Sequence, residues 1–337
     1  MILITFGTRA EYLKIEPLIK KLEDSNIKYF TLFTGQHKDL KVNNIHINLN
    51  MNYIVSNNRL DTIVGNILKY GDEIFNNNQF DFKYVLVQGD TTSALGVALS
   101  SFHHGKKVIH LEGGLRTYNK YNPYPEETNR RIVSSIADIH LCPTEISKEN
   151  LINEKTEGDI YVVGNTSLDN LIGWLPKCKY TNKVLITMHR RENHHWIGEW
   201  FDKISQLGLL YPNIEFLIPL HPNPNVQKYK EKLKNVTILD SLSHSDLLNI
   251  LVKCKLVITD SGGIQEESSF FNKKTLTCRK TTERPESLEQ SNFLVETPSE
   301  LLNIFDKHIN DYSINYICPF GDGYSSEKIV KILKNYV

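Results

Sequence analysis

Thr259-Asp260-Ser261-Gly262-Gly263-Ile264-Gln265-Glu266-Glu267 is the stretch on which the fold turns. It follows the apolar run Leu256-Val257-Ile258 and opens a helical pattern, so it reads as a strand delivered into a helix start. A strand ending in Ser-Gly-Gly at a helix N-terminus presents unpaired backbone N–H groups and the positive end of the helix dipole, a seat for a phosphate. Ser261, Gly262 and Gly263 are therefore expected to hold a diphosphate, the two glycines letting the backbone approach the anion with no Cβ in the way. Glu267 falls about one turn further on, within reach of ribose hydroxyls. Taken alone, Ser-Gly-Gly is equally compatible with an ordinary strand-to-helix turn.

Working outward, short β-branched runs alternate with helical patterns along the chain. Strand candidates are residues 2–6, 84–87, 107–111, 139–141, 160–163, 184–187, 215–220, 236–239, 256–259 and 275–278. Between them lie amphipathic stretches such as 92–102, with Ala94, Leu95, Ala98, Leu99 and Phe102 expected on one buried face. Alternating strands and helices imply parallel sheets covered on both sides. So many strands fit two sheets better than one, which gives an α/β fold of two Rossmann-like, doubly wound lobes. The boundary is placed in 163–183, where Trp174-Leu175-Pro176-Lys177 and the polar residues after it break the rhythm. The expected domains are 1–168, 169–320 and a closing helical segment, 321–337. Asn-rich stretches at 54–58 and 76–79 are expected to be surface loops. In open α/β sheets ligands sit outside the carboxyl ends of strands, and the polar blocks here follow strand ends, so they are expected to converge on an interlobe cleft.

Composition sets bounds. A chain of 337 residues suits two domains. Lys plus Arg equals Asp plus Glu, 39 of each, so no net field points to nucleic acid or an anionic membrane. No apolar run approaches the roughly 18 residues of a membrane span, and Met1–Phe6 reads as a first buried strand rather than a signal peptide. Five scattered cysteines without a C-x-x-C pair suggest a reduced, cytoplasmic setting and no zinc site.

Ordered motifs span nearly the whole chain: Phe6-Gly7-Thr8-Arg9-Ala10-Glu11 with Lys14 and Pro17, Thr34-Gly35-Gln36-His37, Gln88-Gly89-Asp90-Thr91-Thr92, His110-Leu111-Glu112-Gly113-Gly114-Leu115-Arg116-Thr117 and Pro125-Glu126-Glu127-Thr128-Asn129-Arg130 in the first half. The second half adds Gly164-Asn165-Thr166, His189-Arg190-Arg191-Glu192-Asn193, His221-Pro222-Asn223-Pro224-Asn225, the Ser-Gly-Gly stretch and Thr282-Glu283-Arg284-Pro285-Glu286. In this set the chain resembles the non-hydrolysing UDP-N-acetylglucosamine 2-epimerases and their relatives acting on other UDP-2-acetamido sugars. The resemblance implies a glycosyltransferase-B-like arrangement, a terminal helix returning to the first lobe, a homodimer, no cofactor and no metal. It also implies elimination: a base removes the C2 proton as UDP leaves C1, and UDP adds back to a 2-acetamidoglucal while a proton arrives on the other face. That chemistry needs proton donors and acceptors, cations for departing UDP, and exclusion of water.

By motif, Asp90, Glu112, Glu126 and His221 take the catalytic positions. Asp90 reads equally well as a helix N-cap, and Glu126, with Glu127 beside it, reads from residues alone as a solvated loop carboxylate. Three carboxylates on one pocket would repel and raise at least one proton affinity. The resemblance places Arg9 near the pyrophosphate, Lys14 at sugar or diphosphate, Arg284 on the ligand, backbone groups of Leu242 and Leu247 at the uracil, and His189–Asn193 at the lobe interface. His189, His194 and His195 lack a Cys or carboxylate at ligand spacing and so do not point to a metal. The spacing of Glu112 and Glu126 with Leu115-Arg116-Thr117 resembles the UDP-GlcNAc branch of the family, which implies UDP-GlcNAc and UDP-ManNAc as substrates. Glu266-Glu267-Ser268-Ser269 and Ser287-Leu288-Glu289-Gln290 look more like the branch acting on a UDP-2-acetamido-2,6-dideoxy-L-hexose. A hydrolysing epimerase, a glycosyltransferase on the same scaffold or a non-catalytic nucleotide-sugar sensor are the remaining readings. Several bacterial members of the family use a second UDP-GlcNAc as activator near the Thr-Gly-Gln-His block. Here Asp39 replaces an expected glutamine, residues 60–68 lack an expected arginine, and 38–58 is short, so no such activation is expected.

Overall fold

The computed structural model describes residues 1–37, 40, 42, 44–51, 60–76 and 79–337. Asp39, residues 54–58 and the middle of the 76–79 stretch therefore lie outside the described residues. The chain divides into two compact units, Met1–Asn170 with Phe320–Val337, and Leu171–Pro319.

In the first unit the order is β1 (Ile2–Phe6), α1 (Arg9–Asp24), β2 (Tyr29–Phe33), β3 (Leu49–Asn50), α2 (Leu60–Lys69), α3 (Gly71–Phe75), β4 (Tyr84–Gln88), α4 (Thr92–His103), β5 (Lys107–Leu111), α5 (Glu126–Ile136), β6 (Ile139–Cys142), α6 (Glu145–Asn153) and β7 (Asp159–Val162). The described strands form one parallel sheet in the order β3-β2-β1-β4-β5-β6-β7. The side-chain period of two splits β1 between two cores. Ile2, Ile4 and Phe6 face one core with Ile15 and Leu18 of α1, while Leu3 faces the other with Ile63 of α2 and Val97 of α4. The buried face of α4 matches the expected one only in part. Ala94, Val97, Ala98 and Ser101 are buried, whereas Phe102 is 55% exposed. α4 packs closely on α2, where a Cβ on Gly96 would meet Ile67 at 3.0 Å, so small residues line the contact and Phe102 is turned outward.

The second unit runs β8 (Lys183–Thr187), α7 (Ile197–Leu210), β9 (Glu215–Pro219), α8 (Pro224–Gln227), β10 (Thr237–Leu239), α9 (His244–Leu251), β11 (Leu256–Thr259), α10 (Gly262–Phe270), β12 (Lys274–Thr277), β13 (Asn292–Leu294) and α11 (Leu301–Ile309). Its described strands are parallel in the order β10-β9-β8-β11-β12-β13. Trp200, Phe201, Phe216 and Phe305 fill its core. Each sheet reverses strand order once, at β1/β4 and at β8/β11, the switch points where ligands of such folds bind.

The last helix, α12 (Ser325–Leu333), belongs to the first unit. Ile329, Val330 and Leu333 join the core of β1 and α1, and Asp169 caps the helix by accepting from Ser325 N at 2.9 Å and Ser326 N at 2.7 Å. Gly164, at φ +89°, is where a Cβ would meet Ser325 Oγ at 2.5 Å. Among the described residues no helix is long and apolar enough to cross a membrane.

Candidate active site

The first unit gathers its polar residues at the β1/β4 switch. The loop after β1 is tied down by Glu11, fully buried, which accepts from Gly7 N at 2.9 Å, Thr8 N at 2.7 Å and Thr91 Oγ1 at 2.8 Å. Burial pushes the Glu11 carboxyl upward, against those hydrogen bonds. Arg9 follows on the surface, its N–H donating to His37 Nδ1 at 3.4 Å.

Glu112 comes directly after β5, with left-handed backbone (φ +66°) and its side chain largely buried. Left-handed backbone is uncommon for a residue with a Cβ and marks a position fixed by its surroundings. Lys14, expected to contact sugar or diphosphate, lies 2.6 and 2.5 Å from the two Glu112 oxygens. Asp90 is not a helix cap, because Thr91 takes that position and accepts from Ala94 N at 3.0 Å. Its carboxylate receives Arg130 Nε and Nη2 at 2.9 and 2.5 Å. Two of the three carboxylates are thus paired separately, Glu112 with an ammonium and Asp90 with a guanidinium. Removing Arg130 would leave partly buried anions uncompensated, at a cost of about 3–5 kcal/mol.

Glu126 is the first residue of α5 and half-buried. Its neighbour Glu127 is a structural clamp, fully buried and accepting from Thr117 N and Tyr118 N at 3.0 Å each and from Arg130 at 3.3 Å.

The second unit assembles its polar residues at the β8/β11 switch. Asp260, fully buried after β11, accepts from His189 N, Arg190 N and Asn193 Nδ2 within 3.1 Å, which shapes the His189–Asn193 loop. His221, past the end of β9, stacks on His189 with centroids 5.2 Å apart and planes 18° from parallel. Lost hydration and the neighbouring His189 and His194 hold the His221 imidazole below its ordinary value, with Asp260 opposing.

Ser261 caps α10 without a side-chain hydrogen bond. At Gly262 a Cβ would also collide with the Arg284 guanidinium, so its missing side chain makes room for an arginine, whereas a Cβ on Gly263 would have nothing within 4 Å. Arg284 is buried, donating to Glu266 Oε1 at 2.5 Å and pairing with Glu283. Arg279 binds Glu283 at 2.8 Å and Glu192 at 2.7 Å, extending the network to the His189–Asn193 loop. Glu267 meets His244 Nε2 at 2.9 Å through Oε1, and its Oε2 is buried with no hydrogen-bond partner among the described residues. Leu242 lies half-buried just before the α9 cap, Ser243. Leu247, also expected to offer a backbone group to the uracil, lies within α9, where its N–H donates to Ser243 O at 3.0 Å.

Sequence reasoning missed Gln88, Asn165, Arg130 and Asp260 as parts of the site, although all four stand inside the quoted motifs. The available signal was polar residues at strand ends. Their partners lie far away in sequence, so the motif alone does not show them. Among the described residues no group of three or more His, Cys, Asp or Glu could hold a metal ion.

Two doubly wound parallel sheets, with carboxylates at one switch point and an arginine-backed helix start at the other, define an α/β protein of Rossmann-like lobes. The family model described as UDP-N-acetylglucosamine 2-epimerase matches residues 20–334. The UDP-N-acetylglucosamine 2-epimerase of Campylobacter jejuni is 36% identical, covering 98% of this chain and 97% of its own, and that of Neisseria meningitidis serogroup A is 35% identical, with 99% of each covered. The crystal structure of the N. meningitidis enzyme bound to UDP-GlcNAc superposes with a TM-score of 0.86 at 32% identity over 99% of both chains. The chain belongs to the UDP-N-acetylglucosamine 2-epimerase family.

Proposed function

We infer that this enzyme interconverts UDP-GlcNAc and UDP-ManNAc by elimination and re-addition of UDP. Family membership fixes the substrate class, and the observation that carries the assignment to these residues is the Lys14–Glu112 pair at the first switch point. A base takes the C2 hydrogen as a proton, the C–H electron pair becomes the C1=C2 bond, and the C1–O bond breaks with its pair on the β-phosphate oxygen. Asp90, Glu112 and Glu126 are assigned to proton transfer at the sugar. The exposed Arg9 adds positive charge for the diphosphate. In the second unit the N-terminus of α10 at Ser261 and Gly263, backed by Arg284, is assigned to the diphosphate. His221, held neutral near pH 7, is assigned to departing UDP. The buried Oε2 of Glu267, without a hydrogen-bond partner among the described residues, supports a ribose contact, and backbone groups of Leu242 and Leu247 are assigned to the uracil. A cytoplasmic homodimer completes the proposal; the cysteines, all free, support the compartment.

Incubation of UDP-GlcNAc with the protein in deuterated water tests this reading. The epimerase should wash deuterium into C2 and yield UDP-ManNAc by NMR, and Glu112→Gln should lower turnover by about 10²-fold or more. Free ManNAc as product, or no exchange at C2, would overturn it.

A further inference from the structure

Three side chains from separate parts of the fold reach one carboxylate in the first unit, that of Glu112. Lys14 reaches both Glu112 oxygens from α1 at 2.5–2.6 Å. Gln88 Nε2, at the end of β4, donates to Oε2 at 2.5 Å, and Asn165 Nδ2, after β7, donates to Oε1 at 3.1 Å. Gln88 and Asn165 are both buried. The Asn165 amide can be oriented only one way. Its Oδ1 accepts the Ser167 N–H at 3.0 Å, and a peptide N–H can only donate, so the NH2 group must face Glu112. The asparagine is itself anchored by its own N–H to Phe320 O at 2.7 Å. An ammonium and an amide NH2 offer hydrogens and accept none, so these neighbours stabilise an ionised carboxylate and oppose a carboxylic acid.

We propose that Gln88 and Asn165 are positioning residues that hold Glu112 ionised and aimed, making Glu112 the proton acceptor of the elimination step. This rests on the epimerase reading above and deepens it by assigning the base. Besides Lys14, the titratable neighbour on the strand before Glu112 is His110, which burial keeps neutral, while Arg116 beyond it is engaged by Glu154 at 2.7 Å.

The test is the pH profile of kcat/KM for UDP-GlcNAc. Asn165→Asp keeps the shape and the acceptor for Ser167 but replaces the donor with a second carboxylate. Like charges sharing a site raise proton affinity, so the ionised base appears only at higher pH and the acidic limb should move up by about one pH unit or more. Gln88→Met removes a donor without adding charge. It should move the same limb upward by less, with C2 deuterium exchange falling in step with kcat, while UDP affinity stays at the parent value. If Asn165→Asp fails to fold, Gln88→Met carries the test alone. A folded variant whose activity falls equally at every pH, with the limb unmoved, would reduce these residues to scaffold and overturn the proposal. Near-parental turnover in Glu112→Gln is a different failure, since it removes Glu112 from the reaction altogether.

Discussion

A methyl group added at Gly262 and one added at Gly263 should act in different ways. At Gly262 it would strike the Arg284 guanidinium, which cannot swing aside while Glu266 and Glu283 hold it inside the unit. Gly262→Ala should therefore lower the melting temperature and weaken UDP binding together. Gly263→Ala meets nothing in the protein and gains helix propensity of up to about 1 kcal/mol, so it should fold at least as well as the parent. If the diphosphate sits on this helix start, Gly263→Ala should still lose about tenfold or more in UDP affinity, or about 1.4 kcal/mol. Calorimetry showing parental UDP affinity in Gly263→Ala would move the diphosphate elsewhere. At this scale the sequence showed which residue types stand at strand ends, but not what each one touches. Arg130 reaches Asp90 across forty positions, and that pairing depends on the order of strands in the sheet.

Neighbouring strands β5 and β6 place His110 opposite His140, with ring centroids 6.4 Å apart inside the first unit. His110 Nε2 faces Gly89 O at 2.9 Å, and since a carbonyl only accepts, that nitrogen carries the hydrogen. Burial, with the His140 charge adding to it, pulls the His110 imidazole down from 6.5 to about 3. Below pH 6.5 the unfolded chain takes up a proton that the folded chain refuses. Stability should then fall with pH toward 3, at about 1.4 kcal/mol per unit. Urea midpoints at pH 7.5 and 5.5 should show this loss, and His110→Gln should reduce it; a parent midpoint that does not change would contradict a buried neutral pair. The strongly β-branched strands were legible as elements. β2, β3 and β13 were not. β3 and β13 have two and three residues and sit at sheet edges, so their neighbours rather than their composition make them strands. On α4, Ala94 and Ala98 are buried as expected and Phe102 is not, because helical periodicity shows apolar positions without showing how closely a neighbouring helix approaches.

Across the whole molecule, the alternation of strands and helices was enough to indicate two doubly wound sheets. The alignment with the C. jejuni relative runs over 386 positions, more than the 337 residues here, so that relative carries segments this chain lacks. With a short 38–58 segment and an acidic Asp39, we expect no activation by a second UDP-GlcNAc. Initial rates should follow a hyperbola, and the reverse reaction should start without added UDP-GlcNAc; a sigmoidal curve or a silent reverse reaction would contradict this. The placement of α12 in the first unit also affects how the chain is made. Ile329, Val330 and Leu333 fill a core whose other walls lie more than a hundred and fifty residues upstream, with all of Leu171–Pro319 between them. During translation the second unit therefore emerges whole while the first still lacks part of its interior, so the unit that begins to form first is the last to be completed.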